Sequence, residues 1–176
     1  AGNVIGGGDW AKDRIVVDCM LAWDEGRKVE VRSPEATRPW QHVLEPLSGY
    51  LALGADLVTS HSNHGEAYNF GPPANQNHSV KELINQMKVH WGNVRWNDTS
   101  KDEVHMHEAG LLKLNCDKAL FHLKWEANLD YQGTVQFTSD WYSRYHSNID
   151  GIDNFTIKQI REYAEMARIK SYKWAL

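Results

Sequence analysis

The chain is poor in cysteine and proline, with two Cys and five Pro in 176 residues. Cys19 and Cys116 have no CxxC spacing, which excludes a disulfide scaffold and a cysteine-based zinc site. Two thiols in a chain of this length read as small buried hydrophobes in a reducing compartment, so a cytoplasmic location is expected. No apolar run is long enough to span a bilayer, and no membrane partner is expected. No signal peptide opens the chain, so the Asn77, Asn97 and Asn154 sequons read as chance. Neither charge sign dominates: 19 Lys and Arg stand against 23 Asp and Glu, for a net charge of −4. With no basic stripe, nucleic acid is excluded as a partner.

Several catalytic signatures are missing too. There is no GxGxxG or GxxxxGK[ST] loop and no GxSxG elbow. None of the seven tyrosines has Lys four residues on. The histidines at 61/64 and 105/107 lack third and fourth ligands at a telling distance, so they read as solvated and no metal is expected.

What is present alternates between helix and strand. Ile15, Cys19 and Trp23 recur every four residues on a helix from about Asp13, and Gly26 ends it. Val29 and Val31 mark a short strand. Glu45-Pro46 opens a helix whose inner face carries Leu47, Tyr50, Leu51, Gly54 and Leu57 or Val58. Residues 67–70 read as a strand stopped by Gly71-Pro72-Pro73. Ser79 and Glu82 form a capping box for a helix to about His90. Val94 to Trp96 suggests another strand, and Cys116 to Leu123 a short helix. Gln132-Gly133 opens a helix with Phe137, Trp141 and Tyr145 inward. Thr156 and Gln159 suggest a second capping box, for a last helix to about Lys170. With three or four strands, the fold class is α/β around a small sheet with flanking helices.

Candidate ligand residues cluster near Arg38-Pro39-Trp40-Gln41-His42-Val43. Arg offers a planar fork for a phosphate, and the helix N-terminus just after it favours anions. Asn3 and Asn69 lie beside glycines at loop or strand ends, where α/β folds place ligand contacts. The Gly6-Gly7-Gly8 run follows no predicted strand and reads as a flexible turn. The chain opens directly on this loop, without Met or a preceding element, and the expectation is a downstream part of a longer protein.

Asn3-Val4-Ile5-Gly6, Arg38-Pro39-Trp40-x-His42-Val43 and Tyr68-Asn69-Phe70-Gly71 resemble three elements of the extended short-chain dehydrogenase/reductases. The run from Gly2 to Trp10 with Asp13-Arg14-Ile15, and the run from Arg38 to Leu51, resemble the nucleotide-sugar dehydratases of that family that act on CDP-glucose. His107-Glu108-Ala109, Leu112-Lys113-Leu114 and Lys118-Ala119 agree. The resemblance covers about residues 1–146; Val17 departs from it, where proline is expected.

The resemblance implies the C-terminal substrate-binding part of such an enzyme, with the N-terminal Rossmann half missing. Residues 1–148 would form the nucleotide-sugar lobe and 149–176 a helical tail. Arg38 would grip the diphosphate and Asn69 the same region. Asn3 would touch the phosphate–sugar end. Arg14 and Ile15 would open the helix over the nucleotide. Val29 to Arg32, including Val31, would flank the base, and His107 and Glu108 would close over it. The family binds NAD in the other half, so no catalytic residue is assigned and tight NAD binding to this chain is not expected. Residues 67–70 would form an unpaired sheet edge, implying marginal stability or self-association. Rival readings are an epimerase or decarboxylase lobe, a non-catalytic nucleotide-sugar binding module, and a structural protein.

Overall fold

A computed structural model describes residues 1–60, 62–92, 94–101 and 112–175. The elements run β1 (Val4–Ile5), α1 (Ile15–Asp24), β2 (Val29–Val31), β3 (Thr37–Arg38), β4 (Gln41–His42), α2 (Leu44–Thr59), β5 (His78–Ser79), α3 (Val80–Met87), β6 (Trp96–Asp98), α4 (Asp117–Leu123), α5 (Tyr131–Ser147) and α6 (Ile152–Ile169). A short 3-10 turn, Lys173–Ala175, follows. Among the described residues no helix is long and apolar enough to cross a membrane.

The α/β class stands, but the small sheet is three separate two-stranded ladders. β1 pairs with β4 in parallel, β2 with β6 in parallel, and β3 with β5 antiparallel. The extra strands are only two residues long, too short to show as hydrophobic alternation.

α1 forms because its apolar residues repeat at helical spacing. Val16, Cys19, Met20 and Trp23 are buried on one face, and Val17, where proline was expected, is buried inside the helix. Gly26 adopts φ 67° and turns the chain toward β2. Trp23 Nε1 donates to the Arg95 carbonyl at 2.8 Å, fastening α1 to the approach of β6. The main core gathers α1, α3 and α5 through Met20, Trp23, Leu83, Ile84, Val135 and Tyr142. Cys19 is buried there, whereas Cys116 is only half-buried.

The Ser79 capping box is formed: Glu82 N–H donates to Ser79 Oγ at 3.1 Å, and Ser79 N–H donates to Glu82 Oε2 at 2.6 Å. α3 ends at Met87, earlier than expected. The second expected capping box is not formed. α6 starts at Ile152, four residues before Thr156, whose hydroxyl donates to the Ile152 carbonyl and accepts from Trp141 Nε1, both at 2.8 Å. An internal i−4 bond and a tertiary partner satisfy the hydroxyl, and Gly151 at φ 80° starts the helix instead.

Residues 67–70 are also not a strand. Their carbonyls meet side chains: Lys118 Nζ donates to Ala67 O at 3.0 Å, and Gln41 Nε2 to Phe70 O at 3.0 Å. The segment is held by its Phe70 ring, which packs on Trp125 with centroids 4.9 Å apart.

Glu45 organises the rest. It is 1% exposed on α2, and its carboxylate accepts Leu129 N–H at 2.7 Å, Asn128 N–H at 2.8 Å and Tyr163 O–H at 3.0 Å. Trp125 Nε1 donates to Ser48 Oγ at 2.9 Å on the same helix. Asn128 Nδ2 donates to the Tyr163 carbonyl at 2.8 Å, and Lys170 reaches the Asn128 carbonyl. α2, the α4–α5 connection and α6 are therefore joined through one buried carboxylate. Burial still raises its pKa, against its hydrogen bonds and Lys170.

Replacing Glu45 by Ala strands two buried amides and leaves the Tyr163 hydroxyl only Ser48 Oγ at 3.2 Å; it should cost about 3 kcal/mol, against about 1 kcal/mol for Tyr163→Phe. Denaturant unfolding of the two variants checks the ranking.

Burial holds the His42 imidazole neutral, lowering its pKa from 6.5 to about 4. A depressed base contributes stability that is present above pH 6.5 and lost as pH falls toward 4, by about 3 kcal/mol in all. Glu45 runs the other way, because a raised acid costs least once it is protonated. An NMR titration should show the His42 ring signals unmoved through pH 6.5.

Candidate functional site

The β1–β4 ladder brings the two strongest sequence runs together. Gln41 N–H donates to Asn3 O at 3.3 Å, and Val43 N–H to Ile5 O at 2.8 Å. Gln41, buried, ties its side-chain amide to Gly2 O at 2.9 Å and to Phe70 O, so three distant segments share one donor group. Asn3 adopts φ 52°, a left-handed conformation that Asn tolerates better than most residues. Arg38 lies on β3, opposite His78, with Nη1 donating to Thr37 O at 2.8 Å. Trp40 is buried beside it, and its Nε1 donates to His78 O at 2.9 Å.

These elements, with α1 and β2, enclose a cavity of about 240 Å³. Six of the nine residues singled out in the sequence line it: Asn3, Arg14, Ile15, Val31, Arg32 and Arg38. Val31 is 2% exposed and its side chain belongs to the core, which leaves little side-chain surface for a ligand. Asn69 is not in the cavity wall; it is exposed and donates to Asn115 O at 3.2 Å. His107 and Glu108 lie outside the described residues, as do His61 and His105. A second cavity, of about 420 Å³, shares Asn3, Arg14 and the β1 backbone with the first.

The wall also contains Trp40 of the Arg38–Val43 cluster, and residues that sequence reasoning did not name as ligands, among them Asp9, Asp18 and Tyr142. Asp18 follows Arg14 by one helical turn, a spacing that could have flagged it. Its pKa is raised by burial first and by Asp13 second, with Arg32 opposing. Tyr142 comes from α5 and donates to Asp9 O at 2.7 Å. Nothing local in the sequence links residues 9 and 142.

The glycine run has a steric purpose. A Cβ on Gly7 would stand 2.0 Å from Trp141 Cδ2, and one on Gly6 would stand 2.8 Å from Val43 Cγ1. The loop lies against the α5 indole, whose ring stacks on Tyr145, and Trp10 folds over Tyr145 at 4.9 Å. Contrary to the sequence reading, β1 does precede the run, and packing rather than flexibility explains it.

Three arginines line the cavity with the part-exposed Ile15 as its apolar side. Such a wall can hold a ligand that joins an anionic group to an apolar ring. Among the described residues no group of three metal-ligating side chains occurs.

No family model matches the chain. It is 40% identical over 146 residues to CDP-glucose 4,6-dehydratase of Salmonella typhimurium, covering 82% of this chain and 40% of that protein. The solved dTDP-glucose 4,6-dehydratase of Bacillus anthracis, in complex with NAD, superposes with a TM-score of 0.61 at 20% identity, over 81% of this chain and 42% of its own. The UDP-glucuronic acid 4-epimerase of Bacillus cereus, in complex with UDP-glucuronic acid and NAD, gives 0.65 at 15% identity, over 81% and 43%. The fold is that of the extended short-chain dehydrogenase/reductases.

The chain spans about 40% of the length of the Salmonella dehydratase that it matches. NAD accompanies both solved relatives. Among the described residues the glycine run does not fit that dinucleotide. The Trp141 ring fills the space above Gly7, and the next helix begins only at Ile15. A pyrophosphate cradle needs open glycines leading straight into a helix N-terminus.

Gly7→Ala should lower stability by about 2 kcal/mol through overpacking on Trp141. Gly54→Ala meets nothing within 4 Å on exposed α2 and should raise stability by about 1 kcal/mol. Thermal unfolding of both checks the contrast.

Proposed function

We propose that the 240 Å³ cavity binds a nucleotide sugar, CDP-glucose or a close relative. The chain would then be the substrate-binding portion of a CDP-glucose 4,6-dehydratase. The observation that carries this reading is the meeting of Asn3, Arg14 and Arg38 in one wall. They come from the two long runs that resemble that enzyme, and 40% identity to the Salmonella protein supports the same branch. The whole enzyme would be an NAD-dependent lyase converting CDP-glucose to CDP-4-dehydro-6-deoxyglucose and water. This chain's part is to hold the substrate.

Arg38 grips the diphosphate, with Asn3 at the phosphate–sugar end. Arg14 and Ile15 cover the nucleotide from the start of α1. The base lies at the end of β2, beside Arg32 and the backbone of Val31, whose side chain is turned into the core. Asn69, His107 and Glu108 complete the site in this reading; Asn69 would have to exchange its Asn115 bond for the ligand. Residues 1–148 form the lobe, and the tail from 149 braces it through Tyr163 on Glu45. Contrary to the inner face read from its sequence, α2 buries Glu45, Pro46, Ser48 and Gly49 and leaves Leu51 and Val58 76% and 85% exposed, and self-association is expected through that face.

Calorimetric titration with CDP-glucose, without NAD, tests the reading. Wild type should bind, and Arg38→Ala should lose about 2–5 kcal/mol, enough to abolish detectable heat. A folded wild-type chain that takes up no CDP-glucose overturns it.

A further inference from the structure

Two oppositely charged side chains face the cavity from neighbouring elements, and the diphosphate needs neither. Asp18 lies on α1, one turn past Arg14, and Arg32 directly follows β2; both line the wall. α1 packs against β2, which brings the two side chains within electrostatic reach. Neither makes a side-chain hydrogen bond to another described residue. Asp18 is half-buried, so its carboxylate has lost part of its water without gaining a protein donor.

A carboxylate only accepts hydrogen bonds and a guanidinium only donates them. Lining one cavity within electrostatic reach of each other, they offer a ligand an acceptor and a donor. Cytosine offers the complement on its Watson–Crick edge: the exocyclic amino group donates, and the adjacent ring nitrogen accepts. Uracil and thymine carry the reverse order, a carbonyl acceptor followed by a ring N–H. In the same pose each would set acceptor against acceptor and donor against donor. A site built to hydrogen-bond one edge rejects the other, because its own polar groups are left unpaired.

We infer that Asp18 and Arg32 together read the base, Asp18 accepting from the amino group and Arg32 donating to the ring nitrogen, and so select a cytosine nucleotide over uracil or thymine. The inference rests on the nucleotide-sugar reading above, with the base beside Val31 and Arg32. It assigns base selection to a pair of side chains on α1 and after β2, apart from the anion grip of Arg38.

Titrating the folded chain with CDP-glucose and UDP-glucose in parallel tests it. Wild type should favour CDP-glucose by about tenfold or more, the scale of one well-made base-edge pair. Asp18→Asn should bring the two affinities within about threefold of each other, mainly by weakening CDP-glucose, and Arg32→Gln should do the same. Arg38→Ala should abolish detectable binding of both nucleotides alike, and Glu162→Gln, on exposed α6, should change neither. Circular dichroism should show Asp18→Asn folded, since it removes a partly desolvated charge. An unchanged preference in folded Asp18→Asn, or equal binding of both nucleotides by wild type, overturns the selector and leaves the nucleotide-sugar reading standing. Failure of wild type to bind either nucleotide overturns both.

Discussion

The Glu45 carboxylate is the constraint on which the rest of the structure depends. A buried carboxylate is costly unless donors surround it, and here two backbone amides and a tyrosine hydroxyl do so. The donors come from residues 128–129 and 163, more than 80 positions away along the chain. Satisfying one charge therefore fixes the start of α2 against the α4–α5 connection and α6. β4 runs directly into α2, so the same anchorage sets where Gln41 and His42 stand. Gln41 then holds Gly2 and Phe70, and the β1 end that carries Asn3 is positioned in turn.

The cavity is a consequence of this chain of contacts. Its wall draws on β1, the glycine loop, α1, β2, β3 and α5, and no element contributes a complete site. Ladders of two or three residues suffice because each is pinned by a side chain: Gln41 at β1–β4, Trp40 at β3–β5, and Trp23 beside β2–β6. The glycine loop follows the same logic. Its lack of side chains admits the Trp141 ring, and the ring then supports the loop that closes one side of the cavity.

Much of this was legible locally. The helical repeats of α1, the Ser79–Glu82 box and the Pro46 start of α2 depend on neighbours within one turn, and they appear as the sequence spells them. Asn3, Arg14 and Arg38 were legible through resemblance, because their runs are long and specific. Thr156 misled because an ST-x-x-Q pattern inside a helix looks the same as one at its start; the Trp141 indole decides between them. Residues 67–70 misled because Tyr68 and Phe70 before a Gly-Pro-Pro stop state a preference for strand but cannot supply the partner strand. Asn69 looked like Asn3 in sequence and is turned toward Asn115 instead.

The sequence by itself determined the apolar repeat of α1, the Ser79–Glu82 cap of α3, and which arginine stands before a helix start. These follow from hydrogen bonds and steric contacts between residues close in the chain. Only the tertiary structure decided that Asp18 and Arg32 share a cavity with Arg38, that Tyr142 reaches Asp9, and that Glu45 is a buried hub. Each joins side chains from different elements, and their meeting is set by how helices and ladders pack, which no local spacing records.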